Sequence, residues 1–223
     1  MKPSLLIAAC LSAGVLCAES DAPKRLDAAA DSFKEVMGTP DRAIPQDLLN
    51  KAQCVVIVPG LKKAAFIVGA KYGRGFVSCR KKDGPGWSAP GAVRVEGGSF
   101  GLQIGGEETD VFMLIMNQKG MDRLLSSQFT IGADASAAAG PVGRTTQAET
   151  DALMTAEILT WSRSRGLFGG ISLNGSTLRE DSDWNNDLYG RKVTNREIIT
   201  MGVEPPKAAA SFLTELNRYS SRK

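Results

Sequence analysis

Two unbroken apolar runs, Cys54-Val55-Val56-Ile57-Val58 and Val111-Phe112-Met113-Leu114-Ile115-Met116, constrain this chain more than any other feature. Neither shows the apolar-polar alternation of a strand with one wet face, so both read as buried strands, the second one central. Pro59-Gly60 stops the first. At 223 residues and 43% hydrophobic content the chain has enough material to bury such strands, and its length suits one domain or at most two. Its 24 glycines exceed the usual share of roughly 7% and point to many turns and close backbone approaches.

The pattern around these runs predicts the flanking elements. Leu26, Ala29, Ala30, Phe33, Val36 and Met37 recur at helical spacing over residues 24–37, between Pro23 and the stop Gly38-Thr39-Pro40. A shorter helix is predicted over 44–52, with Pro45 in its first turn. Residues 64–80 read as a hairpin turning at Tyr72-Gly73-Arg74-Gly75 and ending at Lys81-Lys82-Asp83-Gly84-Pro85-Gly86. Strands over 91–104 and 110–117 are expected to be joined by Gly105-Gly106-Glu107-Glu108.

Further on, residues 120–127 look helical, and the small-residue stretch 131–144 reads as a close-packed connection. Strands are predicted over 153–162 and 167–173, around Arg163-Ser164-Arg165-Gly166, with Trp161 inward and Arg144 and Arg163 in structural roles. A helical loop over 180–189 precedes a last helix over 206–219, where Ala209, Phe212, Leu213 and Leu216 share a face. The expected class is α+β: a single domain with an antiparallel-dominated twisted sheet or partial barrel and flanking N- and C-terminal helices. No repeat or linker marks a second domain.

Residues 1–20 read as a signal peptide, with Lys2 ahead of a twelve-residue apolar run from Leu5 to Leu16, and cleavage expected after Ala18 or Ser20. The domain is then expected over 21–223, with its core over about 33–219. Ile7-Ala8-Ala9-Cys10 has the look of a lipoprotein box, but too little apolar run precedes Cys10. Export places Cys54 and Cys79 in an oxidising compartment, where two readings stand: a pair of buried thiols, or a disulfide between adjacent strands.

Catalytic chemistry finds little support. The chain has no histidine, which removes the side chain best suited to proton transfer near neutrality and the commonest metal ligand. Cys54 and Cys79 are no CxxC pair, and Gly97-Gly98-Ser99-Phe100-Gly101 lacks the Lys-Ser/Thr ending of a phosphate loop. The acidic clusters Glu107, Glu108, Asp110 and Glu180, Asp181, Asp183, Asp187 do not match a calcium loop. No metal, no cofactor and no enzymatic activity are expected.

The net charge of +3 is too mild to argue for nucleic acid. Positive charge is nevertheless concentrated once: Lys62, Lys63, Lys71, Arg74, Arg80, Lys81 and Lys82 fall within 21 residues. These cations either line a rim that attracts lipid phosphates or protect exposed strands and keep the surface soluble. Lys24, Arg25 and Lys34 beside the apolar face that carries Phe33 give the first helix a similar double reading, as an interfacial membrane helix or as a cap on the core.

Several blocks together resemble the SYLF family. They are Ile44-Pro45 with Leu48 and Ala52, Lys63-Ala64-Ala65-Phe66, Trp87-Ser88-Ala89-Pro90, Gln103-Ile104-Gly105 with Thr109-Asp110, Ala139-Gly140-Pro141-Val142-Gly143-Arg144, the run from Trp161 to Gly170, and Leu188-Tyr189-Gly190. The resemblance implies a non-enzymatic, lipid-binding domain of the bacterial exported type, with eukaryotic members that bind phosphoinositides and yeast members that bind actin. For an exported chain it implies anionic phospholipid at a membrane surface in the periplasm or envelope, with actin not expected as a partner. The other reading is a structural or protein-interaction domain meeting an envelope protein.

Overall fold

The computed structural model describes residues 21–39, 43–65, 68–100, 105–143 and 155–220. The expected signal peptide and Arg144 lie outside them, as do Phe66, Ile67 and residues 101–104 of the strand expected over 91–104.

Nine strands among the described residues form one curled sheet: β1 Cys54–Ala65, β2 Val68–Cys79, β3 Gly91–Phe100, β4 Gly105–Ile115, β5 Gln128–Thr130, β6 Ala137–Ala139, β7 Ile158–Ser164, β8 Leu167–Gly170 and β9 Thr177–Glu180. Their order across the sheet is β5-β9-β3-β2-β1-β4-β7-β6, with β8 also on β7. The β6–β7 pairing is parallel and the other named pairings are antiparallel. The helices are α1 Ala22–Met37, α2 Gln46–Lys51, α3 Gln118–Leu124, α4 Ser182–Tyr189, α5 Asn195–Thr200 and α6 Ala210–Ser220. The fold is α+β with an antiparallel-dominated sheet flanked by N- and C-terminal helices, as the pattern predicts.

The two apolar runs sit side by side at the centre. Val55 and Ile57 of β1, with Phe112 and Leu114 of β4, point into one core with α1, α2, α4 and α6. Cys54, Val56, Val58, Val111, Met113 and Ile115 point into a second core with α3 and α5. Burial on both faces is the reason neither strand alternates.

Several expectations are corrected. Tyr72-Gly73-Arg74-Gly75 is no turn: it lies inside β2, paired with Glu96 to Val93 of β3. Pro59-Gly60 does not end β1 but bulges it, shifting the register between Ile57 and Lys62. That bulge drives β1 against β2, so a Cβ at position 75 would overlap the Ile57 carbonyl and stand 2.7 Å from Val58 Cα. Glycine there serves a close approach.

Gly105-Gly106-Glu107-Glu108 likewise belongs to β4, opposite Ala65 to Lys62. The stretch 131–144, read as a connection, contributes β6 on the flank of β7. The helix expected over 120–127 starts earlier, because the Asn117 side chain accepts from Gly120 N and caps it. The hairpin at Arg165-Gly166 forms as predicted, with Trp161 fully buried and its Nε1 donating to the Pro141 carbonyl at 2.8 Å. Arg163 has the structural role expected of it, through the contacts described below.

Candidate functional site

The seven clustered cations separate according to how β1 and β2 run. About 26 Å of extended strand lies between Lys71 and Cys79 at 3.3 Å per residue, so Lys81 and Lys82 stand at the other end of the sheet from Lys62, Lys63 and Lys71.

Two of the seven are structural. Arg80 is 7% exposed and stacks 3.8 Å above the Trp87 ring. Its guanidinium donates to Ser220 O, Ser220 Oγ and Leu49 O, joining the ends of α2 and α6 to β2. Arg74 pairs with the buried carboxylate of Asp181 at 3.0 Å, donates from Nε to Tyr72 Oη and lies 4.8 Å from the Trp184 ring centroid. Both spend part of their charge holding helices to the sheet.

The remaining cations lie at the sheet's two ends. At the first end, Lys63 and Lys71 are cross-strand partners on one face, and Lys62 and Tyr72 are partners on the other. Lys62 is exposed, and Tyr72 shows 45% of its surface to solvent. Lys63 pairs with Glu107 at 3.6 Å. Burial, and then the charge of Lys63, hold the Lys71 ammonium below the ordinary lysine range. Burial works to raise the Glu107 carboxyl, but Lys63 and hydrogen bonds from Ser164 and Thr109 outweigh it and hold it below its usual value. Two like charges face each other, and the one carboxylate beside them, Glu107, lies on the far side of Lys63 from Lys71, an arrangement that an external anion would relieve.

At the second end, exposed Lys81 and Lys82 border a groove of about 520 Å³ between the β2–β3 turn and the α5–α6 segment. Ile198, Val203 and Leu213 are among its apolar lining, but Asp83 and Glu204 line it too. Its charge is balanced, which gives an anion no net attraction.

The apolar face of the N-terminal helix is turned towards the core. Phe33 is 1% exposed and meets Tyr219 edge-on at 5.9 Å, and the rest of the apolar face of α1 is spent on the core. Arg25 donates to the Pro59 carbonyl at 3.0 Å, while Lys24 and Lys34 lie on the outer face. Asp110 forms the clamp under this helix, accepting from Ser32 Oγ, Gly60 N and Arg163. Arg163 also pairs with Glu35. Burial would lower the pKa of Arg163, but its bonds to Glu35 and Asp110 raise it above the ordinary arginine value.

The sulfurs of Cys54 and Cys79, partners in the β1–β2 register, are bonded to each other. Among the described residues no group of three or more acidic or cysteine side chains is placed to hold a metal. No described helix is long and apolar enough to cross a membrane.

Residues 96–219 match the family described as Ysc84, a Las17-binding protein actin regulator, and the chain belongs to this Ysc84/SYLF family. It is 38% identical over 178 residues to the SH3 domain-containing protein PJ696.02 of Schizosaccharomyces pombe, covering 78% of this chain and 41% of that protein. LAS seventeen-binding protein 3 of Saccharomyces cerevisiae is 36% identical over 75% of this chain and 37% of its own length. The mouse SH3 domain-containing YSC84-like protein 1 is 32% identical over 82% of this chain and 54% of its own length. The chain thus spans between about two-fifths and a half of these relatives.

Proposed function

We propose that this SYLF domain binds anionic phospholipid at a membrane surface without catalysing a reaction, and that Lys62, Lys63 and Lys71 make the contact. The observation that carries the reading is the opposed pair Lys63 and Lys71, whose mutual repulsion a lipid phosphate would relieve. Lys62 and the half-exposed ring of Tyr72 on the other face add a cation and an amphipathic aromatic of the kind that settles at headgroup level. Export through the N-terminal segment would make this an envelope surface, in the periplasm or on the membrane facing it.

Vesicle sedimentation tests it. Each lysine near an anionic surface contributes about 1 kcal/mol, so loss of the three attractions alone is worth on the order of a hundredfold, reversing them to Glu should lower partitioning by more than that, and added salt should weaken the wild type. Unaltered partitioning of a folded variant would end the reading.

The names of the relatives favour a second reading, recognition of a protein. The family description names Las17 binding and actin regulation, and LAS seventeen-binding protein 3 is named for binding Las17, which weighs against setting actin aside. Co-sedimentation with filamentous actin decides this: pelleting that saturates and survives the lysine reversals would support it, and no pelleting would remove it.

A further inference from the structure

Three arginines from distant parts of the chain stand in one row across the sheet. Arg74 on β2 is the direct partner of Arg94 on β3, and Arg94 is the direct partner of Arg179 on β9. Neighbours in such a row have Cα atoms about 5 Å apart and project their side chains from the same face. Like charges placed directly opposite one another cost stability, so three in succession need an anion to justify them.

The protein offsets this in part with two carboxylates, Asp181 beside Arg74 and Glu96 beside the other two arginines. Glu96 bridges two of the arginines, with Oε1 3.1 Å from Arg94 Nε and Oε2 3.3 Å from Arg179 Nη1. Among the described residues the other acceptors are Asp181 and Tyr72 Oη on Arg74, and Gln128 on Arg179. A guanidinium carries five donors, so most of the donors in the row are left to solvent. Arg94 Nε is buried and lies off the hydrogen-bonding direction of the Glu96 carboxylate despite its proximity. The three side chains are nonetheless 27%, 28% and 36% exposed, open enough to be reached from outside.

We infer that the Arg74–Arg94–Arg179 row is a binding site for a phosphate monoester. Such a group carries nearly two negative charges and three acceptor oxygens, and arginine forks match its geometry in a way that lysines do not. The bridging carboxylate of Glu96 is the internal competitor that the ligand displaces. The site is distinct from the Lys63–Lys71 pair, which lies on the opposite face of the sheet, and it does not depend on the membrane reading.

The test uses inorganic phosphate and glycerol 3-phosphate in calorimetric titration, and vesicles carrying phosphatidic acid, a monoester, or phosphatidylglycerol, a diester. Wild type should bind a soluble monoester saturably, or prefer phosphatidic acid to phosphatidylglycerol at equal surface charge. The first result assigns a soluble ligand and the second a lipid headgroup. Arg94→Gln with Arg179→Gln should weaken binding at least tenfold, while Lys63→Glu with Lys71→Glu leaves soluble-phosphate binding unaltered.

Glu96→Gln should tighten binding several-fold by removing the competing charge, a change that a purely structural role for the row would not produce, and it keeps the test open if the double variant fails to fold. No saturable binding and no monoester preference in wild type would overturn the inference. So would a folded double variant that binds as wild type does, or a Glu96→Gln variant that binds no tighter.

Discussion

Lys71 stands directly opposite Lys63 across the β1–β2 pairing, and among the described residues Lys63 has a carboxylate partner in Glu107 while Lys71 forms no ion pair. A partly buried cation facing another cation is costly in the folded state. Replacing Lys71 by Met should therefore raise the melting temperature while weakening attachment to anionic vesicles, a trade that marks a functional charge. Thermal melts and sedimentation of the same variant check both halves.

The depressed Lys71 pKa also fixes a direction in pH. Just below 10.5 the folded state releases this proton before the unfolded state does, so the unfolded chain binds more protons and stability rises with pH in that window. The Lys71→Met variant should lack this rise. Parallel melting curves for the two proteins across that window would contradict the assignment.

The Cys54–Cys79 bridge closes a loop that contains all of the β1–β2 pairing. Opening it should cost about 3 kcal/mol from loop entropy and lower the melting temperature by on the order of 10 °C. Cys54→Ala with Cys79→Ala, melted beside the oxidised wild type, measures this.

Arg163→Met should loosen α1. It removes the guanidinium that ties Asp110 on β4 to Glu35 on the helix and leaves a part-buried carboxylate short of partners, at a cost of about 2 kcal/mol. Hydrogen exchange should show the loss of protection centred on residues 22–37, and uniform loss across the sheet would contradict the clamp.

The class and the two central strands were legible because they rest on local signals: long apolar runs, helical periodicity in α1, and the glycine turn after Arg165. The glycines of β2 misled because a Gly-x-Gly spacing marks a turn when read locally, whereas Gly75 answers to a bulge in a neighbouring strand. β5 and β9 are three and four residues long and carry one buried apolar residue each, too little pattern to detect. Helix α5 did leave a signal in Thr194 and Glu197, which form its capping box.

The candidate site was the least legible part. Cations close in sequence looked like one patch, yet an extended strand is the conformation that carries sequence neighbours farthest apart. Conversely, Arg74, Arg94 and Arg179 meet only through strand register, which no local pattern reveals.

On the proposed function, the sheet end bearing Lys62, Lys63 and Lys71, and not the groove bearing Lys81 and Lys82, meets the membrane. Sedimentation with phosphatidylglycerol vesicles should be compared for two folded variants, one with the first three lysines changed to Glu and one with the last two so changed. Loss of binding is expected in the first and near wild-type binding in the second, where Asp83 and Glu204 already balance the charge. Loss in the second with retention in the first would contradict it.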